Sequence, residues 1–142
     1  MSTILEVKEL SMSYDGRKRV LYRCSFNLEK GKICAVVGES GSGKTTLLRL
    51  IAGLERPSSG SIRINDKVVS NDSNIIAPQD RQLGFVFQNF ALFPHLSVEQ
   101  NIAYGLTKNK REIVKQLLTL IKMEGYEKVY PHQLSGGQEQ RI

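Results

Sequence analysis

Gly38-Glu39-Ser40-Gly41-Ser42-Gly43-Lys44-Thr45-Thr46 is the stretch of this chain with the most explicit chemical content. It fits G-x-x-x-x-G-K-[ST], the pattern of a phosphate-binding loop. Glycines let the backbone bend sharply and approach a ligand with no Cβ in the way. Successive N–H groups then point inward and form a cradle for phosphate oxygens. A helix behind the loop adds unpaired amides and a dipole that favours negative charge. In such a cradle Gly38, Ser40, Gly41, Ser42 and Gly43 shape the loop and Lys44 reaches the β- and γ-phosphates. The Thr45 hydroxyl holds Mg²⁺, and Thr46 is placed to bond the α-phosphate.

The flanks supply the positions this chemistry needs. Ile33-Cys34-Ala35-Val36-Val37 is wholly apolar and predicts a strand buried on both faces. Leu47-Leu48-Arg49-Leu50-Ile51-Ala52-Gly53-Leu54 predicts a mostly apolar helix. Strand, glycine loop and helix start thus come in the required order. As a mere glycine-rich turn, the pattern would arise in roughly one chain in a few hundred of this length.

A second phosphate-directed motif, Leu134-Ser135-Gly136-Gly137-Gln138, comes near the end. Ser135 and Gln138 have capping-box spacing, which predicts a helix starting there. Two glycines in a first turn are poor helix formers. Close approach of that helix end to an anion gives them a purpose.

The remaining elements read as strands first and helices after. Thr3 to Val7 and Val20 to Leu28 predict strands, separated by the turn Ser13-Tyr14-Asp15-Gly16. The basic cluster Arg17-Lys18-Arg19 beside that turn reads as a solvated hairpin tip. Ser61-Ile62-Arg63-Ile64, the turn Asn65-Asp66-Lys67 and Val68-Val69 predict a hairpin with one wet face. Ser70 to Gln82 reads as a surface loop, and Leu83-Gly84-Phe85-Val86-Phe87 as another strand, closed by Gln88. Ser97-Val98-Glu99-Gln100 fits a capping box and predicts a short helix to about Gly105. Asn109-Lys110-Arg111-Glu112 fits a looser version of that start. The helix it opens carries Ile113, Val114, Leu117, Leu118, Leu120 and Ile121 on one broad face, with Gly125 as its stop. Phe85, Phe87, Phe90 and Phe93 are expected mostly in the core, with Phe90 and Phe93 available as a docking patch.

Composition narrows the class. The 142 residues carry a net charge of +6, from 20 basic and 14 acidic side chains, and are 40% apolar. The apolar content suffices for a globular core, and no apolar run approaches the roughly 20 residues of a membrane span. Met1 to Leu10 mixes Glu6, Lys8 and Glu9 among apolar residues, unlike a signal peptide. A soluble cytoplasmic chain is expected. The positive charge is dispersed, which argues against nucleic acid as a partner. Cys24 and Cys34 lack metal-ligand spacing and predict buried free thiols. His95 and His132 also lack partners at such spacing, and neither is a catalytic candidate.

Both motifs together, in this order, resemble the ATP-binding-cassette (ABC) family over essentially the whole chain. The resemblance implies an α/β fold: a P-loop NTPase core with an N-terminal antiparallel β-subdomain and a helical signature subdomain. The corresponding boundaries are 1–88 for the β-subdomain with the phosphate-loop part of the core, and 89–142 for the helical subdomain. The implied ligands are ATP and Mg²⁺. Tyr14 stands where the family places an aromatic that stacks on adenine. Gln88 stands where its Gln reaches Mg²⁺ and the attacking water, so Lys44 and Gln88 are the catalytic candidates. Ser135, Gly136, Gly137 and Gln138 would contact the γ-phosphate of ATP held by a second subunit, which implies a head-to-tail homodimer around two nucleotides.

The family continues with an apolar strand ending in Asp, a catalytic Glu and a switch His. These are expected past Ile142, so the 142-residue segment is expected to stop before the Mg²⁺-ligating strand and to hydrolyse ATP poorly by itself. About 90 residues between the motifs are too few for the coiled-coil insertion of chromosome-structure relatives. The run Gln88 to Val98 with Asn101-Ile102-Ala103-Tyr104-Gly105 resembles bacterial importers of ferric iron, polyamines, sulfate, molybdate or sugars. Tyr130-Pro131-His132-Gln133-Leu134 leans toward the ferric-iron branch. The resemblance thus implies an ATPase subunit on the cytoplasmic side of the bacterial membrane. It would meet membrane permease subunits and, through them, an extracytoplasmic solute-binding protein. A non-hydrolytic dimerisation module and a nucleic-acid-associated ATPase stay open as alternatives.

Overall fold

The computed structural model describes residues 2–15 and 18–142. Gly16 and Arg17, part of the expected turn and of the basic cluster, lie outside the described residues. The chain divides into two compact units, Met1–Phe85 and Val86–Ile142.

In the first unit, β1 (Thr3–Ser13), β2 (Arg19–Glu29), β3 (Ser59–Ile64) and β4 (Lys67–Ser70) form an antiparallel sheet in the order β2-β1-β3-β4. β1 runs well beyond the expected end at Val7. Simple alternation breaks there because Glu9 adopts a left-handed conformation, φ 47°. The extra residue places Val7, Leu10 and Met12 on one buried face, three and then two residues apart. Arg23 makes the matching irregularity in β2, also at φ 47°, so that Leu21, Cys24 and Phe26 pack against the same core. The two bulges support each other: the Glu9 N–H donates to Ser25 Oγ at 2.8 Å and the Arg23 N–H to Ser11 Oγ at 3.0 Å. An Arg23–Glu9 ion pair spans them.

Helix α1 (Lys44–Ala52) lays Leu47 and Leu50 on this face, against Val7, Leu10, Met12, Ile62, Ile64 and Val69. It ends at Gly53, whose φ of 80° is the left-handed stop that glycine accepts most readily. A Cβ there would lie 2.3 Å from Nε of Arg81.

Arg81 is the main departure from the expected surface loop at 70–82. It is only 2% exposed and staples three segments. Nη1 donates to the carbonyls of Leu50 at 3.0 Å and Ile51 at 2.9 Å, Nε to Ile76 at 2.8 Å, and Nη2 to Val69 at 3.2 Å. Burial lowers its pKa from the ordinary value, but a guanidinium still keeps its proton. Two of these carbonyls belong to the last turn of α1, where helix acceptors run short of partners; that of Leu50 also accepts from the Gly53 N–H at 3.1 Å. Arg81→Ala should therefore destabilise the full-length protein by about 3 kcal/mol or more, read as a lower urea midpoint. A loss under about 1 kcal/mol would mean that water replaces the guanidinium.

Two expected strands do not form. Ile33–Val37 and Leu83–Phe87 join no ladder, and Ile33 is 99% and Val37 87% exposed. An apolar run becomes a strand only where neighbouring amides and carbonyls complete it. The same reason leaves Cys34 exposed rather than buried, while Cys24 is half-buried. Phe87 and Phe93 are exposed and Phe85 and Phe90 only partly covered, so the phenylalanines are not mostly core.

The second unit is helical. Helix α2 (Val98–Ile102) begins with the expected capping box: the Ser97 N–H donates to Gln100 Oε1 at 2.8 Å and the Gln100 N–H to Ser97 Oγ at 3.4 Å. Helix α3 (Lys110–Leu120) starts directly after Asn109 as expected, but differs in its cap and in its stop. Asn109 sits at φ 51° with no side-chain cap, and the helix stops before a left-handed Lys122, short of Gly125. Its buried stripe is narrower too: Val114 and Leu118 pack with Val98 and Met123, while Leu120 is 75% exposed. No described helix is long and apolar enough to cross a membrane.

Candidate functional site

The loop at 38–43 leads directly into α1, whose first residue is Lys44. Gly38, Gly41 and Gly43 carry positive φ values of 156°, 80° and 92°. At Gly43 the need for glycine is steric as well, since a Cβ would lie 2.8 Å from the Val20 carbonyl of β2. The loop is thereby seated on the sheet. Gly43 caps α1 with no side-chain hydrogen bond, and the first turn holds no acidic residue. By contrast, α2 and the short helix α4 (Gly136–Glu139) have serine caps and a Glu in the first turn. The start of α1 is thus left for an anion from outside the chain.

Lys44 folds back over the loop. Its Nζ donates to the carbonyls of Gly38 at 2.9 Å and Glu39 at 2.6 Å, with Ser42 Oγ at 3.4 Å. A positive charge is therefore held within the curve of the backbone before any ligand arrives. Ser40, Ser42 and Thr45 are exposed beside it, whereas Thr46 is buried. This unit can hold a polyphosphate through backbone amides, one ammonium and flanking hydroxyls.

The structure brings Tyr14 to the same place. The residue is 61% exposed, but its hydroxyl lies 3.2 Å from Thr46 Oγ1 and donates to Glu55 Oε2 at 2.7 Å. Glu55 also accepts from Arg49 Nη1 at 3.2 Å. Sequence reasoning missed Glu55, because one acidic residue in Leu54-Glu55-Arg56-Pro57 reads as a solvated loop. The signal available was its position just past the α1 stop.

Gln88 and the Ser135–Gln138 motif belong to the second unit. Gln88 is exposed. Ser135 caps α4 in the expected reciprocal box: its N–H donates to Gln138 Oε1 at 2.9 Å, and the Gln138 N–H to Ser135 Oγ at 3.3 Å. A Cβ built on Gly136 or Gly137 would meet nothing within 4 Å. Packing among the described residues therefore does not explain the two glycines. His132 stacks on Tyr130 at a centroid distance of 6.0 Å, and His95 meets the Phe93 ring edge-on.

The family model described as ABC transporter matches residues 21–142. The chain is 44% identical over 148 residues to the putrescine transport ATP-binding protein PotG of Escherichia coli, covering 100% of this chain and 38% of that one. It is 41% identical over 145 residues to the Fe(3+) ions import ATP-binding protein FbpC 2 of Haemophilus influenzae, covering 98% and 40%. The chain thus spans about two fifths of the length of these curated relatives. Among solved structures, the dimeric post-hydrolysis state of an ATP-binding cassette bound to ADP and Pi superposes with a TM-score of 0.81. Sequence identity there is 28%, over 97% of this chain and 66% of that one. On the family match and the cassette fold, the chain belongs to the ABC transporter family.

Proposed function

We propose that this chain is the nucleotide-binding portion of an ABC importer ATPase, coupling ATP binding and hydrolysis in the full-length protein to solute uptake. The observation that carries this reading is the uncapped start of α1, with Lys44 already held over a glycine loop. Its residues fit Mg²⁺-ATP: the loop amides and Lys44 take the phosphates, Thr46 the α-phosphate, and the exposed Thr45 hydroxyl the metal. Tyr14 offers an exposed ring face to adenine. Bound Mg²⁺ would supply neutralisation of the charge developing on the phosphate oxygens. Gln88 would orient the attacking water and help hold the metal, and Ser135 to Gln138 of one copy would face the phosphate loop of a second. Functionally we divide the chain at 1–88 and 89–142, close to but not at the Phe85/Val86 boundary of the compact units, with the helical part passing closure to permease subunits at the cytoplasmic face of the bacterial membrane. A solute-binding protein on the far side delivers the cargo, and nucleic acid has no part.

Ferric iron is the solute we favour, from the run Tyr130 to Leu134. Relatives named for putrescine and for ferric iron match at similar identity, so the solute is the finer part of the reading. Uptake of labelled ferric iron, putrescine and sulfate in a deletion strain, with and without the wild-type gene, tests both levels. Loss and rescue of iron uptake is expected. Loss of putrescine or sulfate uptake instead would reassign the solute, and no loss for these three or for molybdate and sugars in the same assay would overturn the importer reading.

A further inference from the structure

We propose that Glu55 is a positioning residue for nucleotide recognition: it anchors the Tyr14 hydroxyl and so fixes the ring face offered to the base. The inference rests on the ATP-site reading above. The hydroxyl of Tyr14 has one proton, and a carboxylate can only accept, so that proton goes to Glu55 Oε2 at 2.7 Å. At the 3.2 Å contact with Thr46 Oγ1, the threonine must then be the donor. Thr46 cannot give its one proton both to Tyr14 and to an α-phosphate. Once a phosphate oxygen takes it, Glu55 is the anchor that remains for the ring. Glu55 is itself fixed: its side chain is 16% exposed and its other oxygen accepts from Arg49, in the last turn of α1. The chain Arg49–Glu55–Tyr14 thus ties an otherwise exposed ring to the helix that starts at the phosphate loop. A ring held in one orientation loses less freedom when a base stacks on it.

The test is equilibrium binding of ATP and of inorganic tripolyphosphate to the full-length protein and its variants. Tripolyphosphate has no base, so it reads the phosphate loop alone. Glu55→Ala and Tyr14→Phe remove the same bond from opposite ends. Each should weaken ATP about fivefold, the scale of ordering one side chain, and should not weaken tripolyphosphate. The double variant should be no weaker than either single one, and Glu55→Gln, which keeps an acceptor, should retain most of the affinity. Equal losses for tripolyphosphate, additive losses in the double variant, or wild-type ATP affinity in Glu55→Ala while Tyr14→Ala binds ATP poorly would each overturn the proposal. Unchanged ATP affinity in Tyr14→Ala would remove base stacking at Tyr14 and this inference with it. Failure of the wild-type protein to bind either ligand would instead overturn the underlying ATP-site reading.

Discussion

Lys44→Ala in the full-length protein should lower ATP turnover about a thousandfold, the scale of losing one preorganised electrostatic contact to the transferring phosphoryl group. The substitution does more than delete a charge. The Lys44 ammonium lies against the carbonyls of Gly38 and Glu39. Without it, two carbonyl dipoles turn their negative ends toward a space that must receive phosphates. Lys44→Arg should not rescue, because a planar guanidinium cannot reproduce three contacts made from one tetrahedral centre. Phosphate release by purified wild-type and variant proteins measures the effect. Unchanged ATPase activity would refute the assignment of the loop.

Gly136→Asp should separate nucleotide binding from dimerisation. The space beside Gly136 is open within the chain, so the new side chain meets no steric obstacle. An acidic residue in the first turn of a helix is favourable locally, so the second unit should keep its fold. Nucleotide binding by the monomer should stay intact. In the head-to-tail arrangement, however, the introduced carboxylate would face the phosphates of a partner's ATP, and like charges across an interface cost several kcal/mol. ATP-driven association should weaken at least about a hundredfold, which follows from that penalty. Sedimentation with a non-hydrolysable ATP analogue reads it directly. A normal dimer would count against the role of the signature motif.

Local signals were the ones the sequence carried well. The loop-to-helix start at Lys44 and the serine capping boxes at Ser97 and Ser135 are each written within a few consecutive residues, and the structure has all three. The hairpin β3–β4 is similarly short-range. Non-local features were not legible. Arg81 bonds carbonyls of Leu50 and Ile51, 31 and 30 positions away, and nothing in the run around it distinguishes a buried staple from a solvated arginine. The bulges at Glu9 and Arg23 exist because two strands accommodate each other, and each strand read alone shows only broken alternation. Ile33–Val37 and Leu83–Phe87 show the converse failure. Their apolar composition signals burial, but composition names no partner, and strand formation depends on one. The tie of Tyr14 to Glu55 was not legible either, because it spans 41 positions.

Stoichiometric binding of ATP to the full-length protein, with inorganic tripolyphosphate as competitor, is the decisive experiment for the phosphate site. One saturable, Mg²⁺-dependent site per chain is expected, from which tripolyphosphate displaces ATP, because Lys44 and the loop amides recognise the phosphates. Absence of saturable binding, or ATP that tripolyphosphate fails to displace, would contradict the assignment of residues 38–46 as the phosphate site.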